Sequence, residues 1–241
     1  PPGDDSGPGS PPGRGGDRAN SASRCVRCHM HMSLCVCTLI PTLQTRTRVV
    51  LVMHRCEARK STNTGRLATE ALPNSKRIVR GRKGAPDDAL SWSPDTRPLL
   101  LFPHEDALPL ASLAQVVGDD RPVTLIVPDG NWRQASKVRQ RVAGLRDVPY
   151  VTLPIGERSA YRLRFEAHRT GLSTLEAIAR ALRLLEGDAG PDVERALLAV
   201  FRAMVERTLW SRGSIGLKDL NDRVPPGTRR DVPWGQVMDT K

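Results

Sequence analysis

The chain has 241 residues, enough for one sizeable core or a core with a small appended module. Its formal net charge is +11 and all but six of its 37 basic residues are Arg, whose planar fork grips phosphate oxygens in pairs, so a polyanionic partner is expected, nucleic acid first. Aromatic residues make up only 4%, which argues against a stacking platform for single strands, and no run approaches the roughly 20 apolar residues of a membrane span.

Residues 1–23 are Pro, Gly, Ser and Asp with scarcely an apolar side chain, and read as a disordered tail that cannot offset its ordering entropy. Cys25-x-x-Cys28 and Cys35-x-Cys37 follow. Two close pairs suit a tetrahedral Zn²⁺ held by four thiolates, a closed and therefore structural site, within a module spanning 24–44. His29 and His31 lie between the pairs as rival ligands, solvated histidines being the simpler reading. This crowding of cysteines, with no secretory apolar core ahead of it, suits a reducing cytoplasm rather than a disulfide framework. Cys56 reads as an inert core thiol.

Arg48 to His54 is the first buried strand. After it, Thr62-Asn63-Thr64-Gly65 offers hydroxyls, an amide and backbone N–H groups at a helix start; an ordinary cap and a ligand cradle both fit. Lys76 to Lys83 is a short strand wrapped in charge, which makes Arg77, Arg80, Arg82 and Lys83 candidates for phosphate contacts. Pro98 to Pro103 is a further apolar strand, followed by a loose helix or loop from Ala107 to Gly118. Val123 to Val127 reads as a strand buried on both faces and ended by Pro128, since proline cannot donate to a ladder. Asp129-Gly130 makes a tight turn, and Trp132 to Arg141 has the composition of a basic helix. Asp129 either caps that helix or faces the crevice where open α/β sheets place their ligands.

Tyr150 to Leu153 is a last short strand, followed by Arg158, Arg162 and Arg164, of which the last two are further phosphate candidates. Ser173 with Glu176 forms a capping box, and Leu175, Ile178, Leu182 and Leu185 recur at helical spacing to Gly187. Pro191 to Arg212 is an amphipathic helix whose stripe of Val193, Leu197, Val200, Phe201, Met204 and Val205 reads as core packing, leaving monomer and homodimer both open. Residues 213–241 read as a polar tail.

Four blocks in order carry a family resemblance. Asp129-Gly130-Asn131-Trp132 with Gln134, Ala135 and Lys137 resembles the Asp-x-Thr-Trp signature of DTW-domain proteins, with Asn131 in place of the family's Thr. Met53-His54-x-x-Glu57 with Thr62 to Leu67, Leu101-Phe102-Pro103, and Leu172-Ser173-Thr174-Leu175-Glu176-Ala177 are also similar to family blocks, as is the cysteine cluster. The resemblance implies a SPOUT-like α/β fold, a parallel sheet with a C-terminal trefoil knot, over residues 45–212. It implies transfer of the 3-amino-3-carboxypropyl group from S-adenosylmethionine to N3 of a tRNA uridine, methylthioadenosine leaving. On that reading Asp129 is base or orienter and Trp132 a wall of the site. Thr62 to Gly65, Leu101, Pro103, Pro128 and Leu172 to Leu175 would hold the donor. A SPOUT methyltransferase and a non-catalytic, zinc-bearing RNA-binding protein are the alternatives.

Overall fold

The computed structural model describes residues 23–81, 89–114, 119–163 and 171–222. The expected tail up to residue 22, the candidate cations Arg82, Lys83 and Arg164, and the segment beyond residue 222 lie outside them.

Six strands form one sheet: β1 (Arg48–His54), β2 (Ser75–Arg80), β3 (Arg97–Leu101), β4 (Leu108–Pro109), β5 (Val123–Asp129) and β6 (Tyr150–Thr152). Their order is β2-β1-β5-β3-β6-β4, and every pairing is parallel. Parallel neighbours need crossover connections, so all the strands open at their carboxyl ends onto the same edge. The apolar, β-branched runs are the ones buried on both faces. Val49, Leu51 and Met53 point into one core and Val50 and Val52 into the other; on β5, Val123, Leu125 and Val127 oppose Ile126 in the same way. Each such side chain contributes about 1.5–3 kcal/mol on burial.

The larger core lies between the sheet and the helices α1 (Thr64–Ala71), α5 (Thr174–Leu185) and α6 (Gly190–Ser211). The expected stripe of α6 is buried here, together with Cys25, Cys28, Met30, Leu34 and Val36, so the cysteine segment packs into the same core. A short helix, α2 (Leu110–Ala114), adds Leu110 to it. The opposite face is covered by Leu90 and by the segment after β5, through Val138, Val142, Leu145 and Val148.

Several expectations are corrected. β5 does not stop before Pro128; it runs through it to Asp129. Pro128 is tolerated because β3 pairs with β5 only as far as Ile126, so the ladder at that level is one-sided. The basic helix is two short turns, α3 (Trp132–Ala135) and α4 (Val138–Arg141), broken at Ser136 and Lys137. The break turns Val138 onto the sheet while Trp132 stays at its carboxyl edge. Cys56 sits exposed in a turn rather than in a core. After α6 the described chain folds back on that helix: Glu206 accepts hydrogen bonds from Asn221, and Arg207 pairs with Asp222 at 2.9 Å.

The second face depends on one glycine. Gly144 has φ +86°, and a Cβ there would lie 1.7 Å from the Leu90 carbonyl oxygen. Around it Leu90 N donates to Ala143 O and Trp92 Nε1 to Gly144 O, both near 2.9 Å. Gly144→Ala is expected to cost about 2 kcal/mol or more. Urea denaturation checks this, and an unshifted midpoint would mean that the contact is not needed.

Candidate functional site

A cavity of about 580 Å³ opens at the carboxyl edge of the sheet, the position at which open α/β folds bind ligands. Its walls come from the ends of β3, β5 and β6, from the loop between β1 and α1, and from the starts of α1 and α5. Asp129 lines it and is 6% exposed. Asn63 Nδ2 donates to Asp129 Oδ2 at 2.6 Å, and Thr174 Oγ1 donates to Oδ1 at 2.6 Å. A buried carboxylate requires such donors, since leaving it unpaired would be costly.

The two donors are themselves fixed by helix starts. Asn63 caps α1, its Oδ1 accepting from Arg66 N at 2.9 Å, so a single amide caps one helix and braces the carboxylate. Ser173 caps α5, and Thr64 Oγ1 accepts from Leu175 N at 3.3 Å, tying the two helix starts together. Glu176 goes beyond its capping box: besides Ser173 N at 2.9 Å it accepts from Ser159 Oγ at 2.5 Å and Ala160 N at 2.8 Å. That holds the segment after β6 against the cavity, where Tyr161 OH donates to Thr62 O at 2.6 Å.

Charged and apolar groups both line the space. Glu57, 3% exposed, pairs with Lys60 at 2.5 Å, and the Arg180 guanidinium donates to Glu157 O at 2.7 Å. Phe102 and Trp132 form an apolar wall with ring centroids 5.6 Å apart.

Within the larger core, the thiols of Cys25, Cys28, Cys35 and Cys37 all lie within 4.8 Å of one another. Cys25 and Cys37 sulfurs are 3.5 Å apart and those of Cys28 and Cys35 3.7 Å. A tetrahedron of about 2.3 Å metal–sulfur bonds has edges of about 3.8 Å, so the set could hold a metal ion with little movement. His29, at φ +61°, makes the left-handed turn of the first knuckle and donates from N to Cys25 O at 2.8 Å. Neither His29 nor His31 joins the cluster, and both are half-buried rather than solvated. Burial pushes the Cys28 and Cys37 thiols up. At Cys25 burial also acts upward, but hydrogen bonds from the backbone of Cys28 and Arg27 and from the Cys37 and Cys35 side chains together outweigh it and bring the thiol to about 7. A metal ion held by these thiols would displace protons, so its binding would weaken as pH falls. The Arg207 guanidinium donates to Cys35 O, anchoring the cluster to α6.

The DTW domain matches residues 22–209, covering the cysteine cluster, the cavity and most of α6. The chain belongs to the DTW-domain family. It is 28% identical over 191 residues to tRNA-uridine aminocarboxypropyltransferase 2 of Drosophila melanogaster, covering 76% of this chain and 73% of that one. Against the proteins of the same name from Macaca fascicularis and Mus musculus it is 30% and 28% identical over 176 and 178 residues, 70% of this chain in each case. It spans 58% and 59% of those two relatives' lengths. No solved structure matches.

Within this DTW-domain protein, Thr62, Asn63 and Thr64 line the cavity, as do Leu101, Pro103, Pro128, Trp132, Leu172, Ser173 and Thr174. Gly65 and Leu175 do not. A Cβ on Gly65 would sit 3.0–3.1 Å from Leu51 and Thr174 atoms, and Leu175 is fully buried, so both serve helix packing. Asn131, where the signature has Thr, is the N-cap of α3: its Oδ1 accepts from Gln134 N at 2.9 Å and Gln134 Oε1 accepts from Asn131 N at 3.0 Å. Thr and Asn both cap, so the exchange keeps the turn. Arg80 is 3% exposed and donates to Gln134 O at 2.6 Å, which removes it from the phosphate-facing surface. Arg77 pairs with Glu70 at 3.6 Å, and Arg162 is exposed on a turn.

Sequence reasoning missed Lys60, Tyr161 and Arg180 and gave Glu57 no role. Glu57 had a signal, its place in a family-like block; Arg180 had one too, recurring every third residue after Thr174 and Ala177 on the cavity side of α5. Tyr161 had none, because its partner lies 99 residues away.

Asn63→Ala leaves both a carboxylate oxygen and a helix N–H short of a partner and should cost about 1–3 kcal/mol. Chemical denaturation measures this; a variant as stable as wild type would deny Asn63 its bracing role.

Proposed function

We propose that this protein is a tRNA-uridine aminocarboxypropyltransferase, using S-adenosylmethionine as group donor and modifying N3 of a uridine in tRNA. The observation that carries the reading is the meeting of three family-like segments on Asp129, at a cavity of ligand size. The names of the relatives support it. A SPOUT-like knotted topology, cytoplasmic placement and a monomeric or homodimeric state belong to the same reading; among the described residues, no helix is long and apolar enough to cross a membrane.

The cavity's own groups fit such a donor. Arg180 and Lys60 are the cations for an amino-acid carboxylate, Glu57 the carboxylate for its ammonium. Thr62 to Thr64 and Leu172 to Thr174 flank the space as polar and backbone walls. A sulfonium activates every carbon bonded to it, so the enzyme selects the transferred group by orientation alone. Asp129, as base or orienter, receives the N3–H of the uridine, with Trp132 and Phe102 against the base. As N3 bonds to the donor carbon, the C–S bond breaks and methylthioadenosine leaves with the electron pair; the N3 proton passes to the carboxylate or through it to solvent.

Incubation with unmodified tRNA and S-adenosylmethionine, then nucleoside mass spectrometry, tests this. The aminocarboxypropyl adduct together with methylthioadenosine is expected; a methyl adduct, or no adduct, overturns the assignment. Arg180→Ala should raise KM for S-adenosylmethionine by roughly ten- to a hundredfold, as loss of a charge-assisted contact requires. An unchanged KM removes Arg180 from donor binding.

The four-thiol tetrahedron is the set that zinc prefers, and with no open position its role is structural. Cys25→Ser should lower bound zinc, measured by elemental mass spectrometry, and lower the melting temperature, because the cluster shares the main core. Undiminished zinc would reject the site.

A further inference from the structure

Outside the cavity, many of the arginines are neutralised. Arg27 and Arg77 meet Glu70, Arg121 meets Asp119, Arg183 meets Glu194 and Arg195 meets Asp192. The stretch from Trp132 to Arg146 is different. It carries Arg133, Lys137, Arg139, Arg141 and Arg146 and no acidic residue, and none of the five forms an ion pair among the described residues.

Arg139 is committed to the fold. Its Nε donates to Arg146 O at 2.9 Å and its guanidinium lies 4.6 Å from the centre of the Tyr150 ring. Arg133, Arg141 and Arg146 are exposed, and Lys137 is half-buried. Arg55 joins them from the end of β1. The strand end that carries it packs on the start of this segment, a Cβ on Gly130 meeting His54 Cβ at 3.5 Å. The His54 imidazole is held toward its neutral form first by burial, then by Arg80 and Arg55, with Glu57 opposing and Arg141 adding to the shift.

Gathering like charges costs free energy unless a counter-charge arrives. This gathering is also rigid. Arg80 holds the Gln134 carbonyl from below, and Val138 and Val142 are packed into the second core. The exposed Arg133, Arg141 and Arg146 are therefore carried on backbone that is fixed to the fold. The same segment borders the cavity, since Asn131, Trp132 and Ala135 line it.

We propose that residues 133–146, with Arg55, form the docking face for RNA backbone phosphates and bring the target nucleotide to the cavity from the Trp132 side. The proposal rests on the RNA-modifying reading of the cavity and names the surface that would serve it. Of the two candidates on β2 that the structure describes, Arg77 is paired with Glu70 and Arg80 is buried.

The test is a triple variant, Arg133→Gln with Lys137→Gln and Arg141→Gln, which spares the structural Arg139. Binding of unmodified tRNA is followed by fluorescence anisotropy across a salt series. Loss of three phosphate contacts should flatten the log–log salt slope by about 2 to 3 and weaken affinity at least about tenfold at moderate salt, with the melting temperature unchanged. The control pair, Arg183→Gln with Arg195→Gln on α5 and α6, should leave both readouts as in wild type. Equal slopes for wild type and triple variant overturn the proposal, as does an equal loss in the control, which would make the attraction diffuse. Polyglutamate bound as tightly as tRNA at the same salt overturns it in favour of any polyanion. Should wild type bind tRNA through this face yet transfer no group, the docking face stands and the proposed reaction falls.

Discussion

A single buried carboxylate holds the site together. Asp129 accepts from Asn63, 66 residues earlier, and from Thr174, 45 residues later, and each donor begins a helix. Hydrogen bonds to a charged group contribute about 1.5–3 kcal/mol each, so two of them suffice to set the relative position of α1 and α5 at the sheet edge. The arrangement also explains why both helix starts are polar while the turns behind them are apolar. Each start faces the cavity and the carboxylate; each following turn packs on β1 and β5.

A second layer of polar anchoring shapes the cavity around this centre. Glu176 is the cap partner of Ser173, but its carboxylate also receives Ser159 and Ala160 and so holds the segment that carries Tyr161. Tyr161 then reaches back to Thr62. The chain of contacts runs from α5 to the segment after β6, to the loop before α1, and through Asn63 to Asp129. Satisfied networks of this kind rigidify a site, because each group left unpaired in a low-dielectric interior is costly. The cysteine cluster is anchored to the same core through Arg207 and the apolar neighbours of the thiols.

Much of the architecture was legible because periodicity and burial are local in their cause. The alternation-free runs at 48–54 and 123–127 could only be strands with two buried faces, and α5 and α6 follow from capping and a 3.6-residue stripe. The errors lie where a neighbour decides. Proline at 128 is a strand breaker in general, yet here the flanking strand has already ended. The apparent basic helix breaks because Val138 belongs to the core and Trp132 to the cavity, and one straight cylinder does not serve both. Arg80 looked like a phosphate ligand among its charged neighbours, but strand alternation turns it inward onto Gln134.

The sequence by itself determined the parallel α/β character, the two capped helices and the four-thiol set, since each depends on composition and spacing within a few turns of chain; the segments that carry the cavity were marked by the family resemblance. Only the tertiary structure decided that Asp129 braces Asn63 and Thr174, that Glu176 and Tyr161 tie a distant segment down, and which arginines keep their charge facing outward. Those outcomes depend on contacts between residues tens of positions apart, and on which charges find a partner once the chain is folded; no local pattern encodes either.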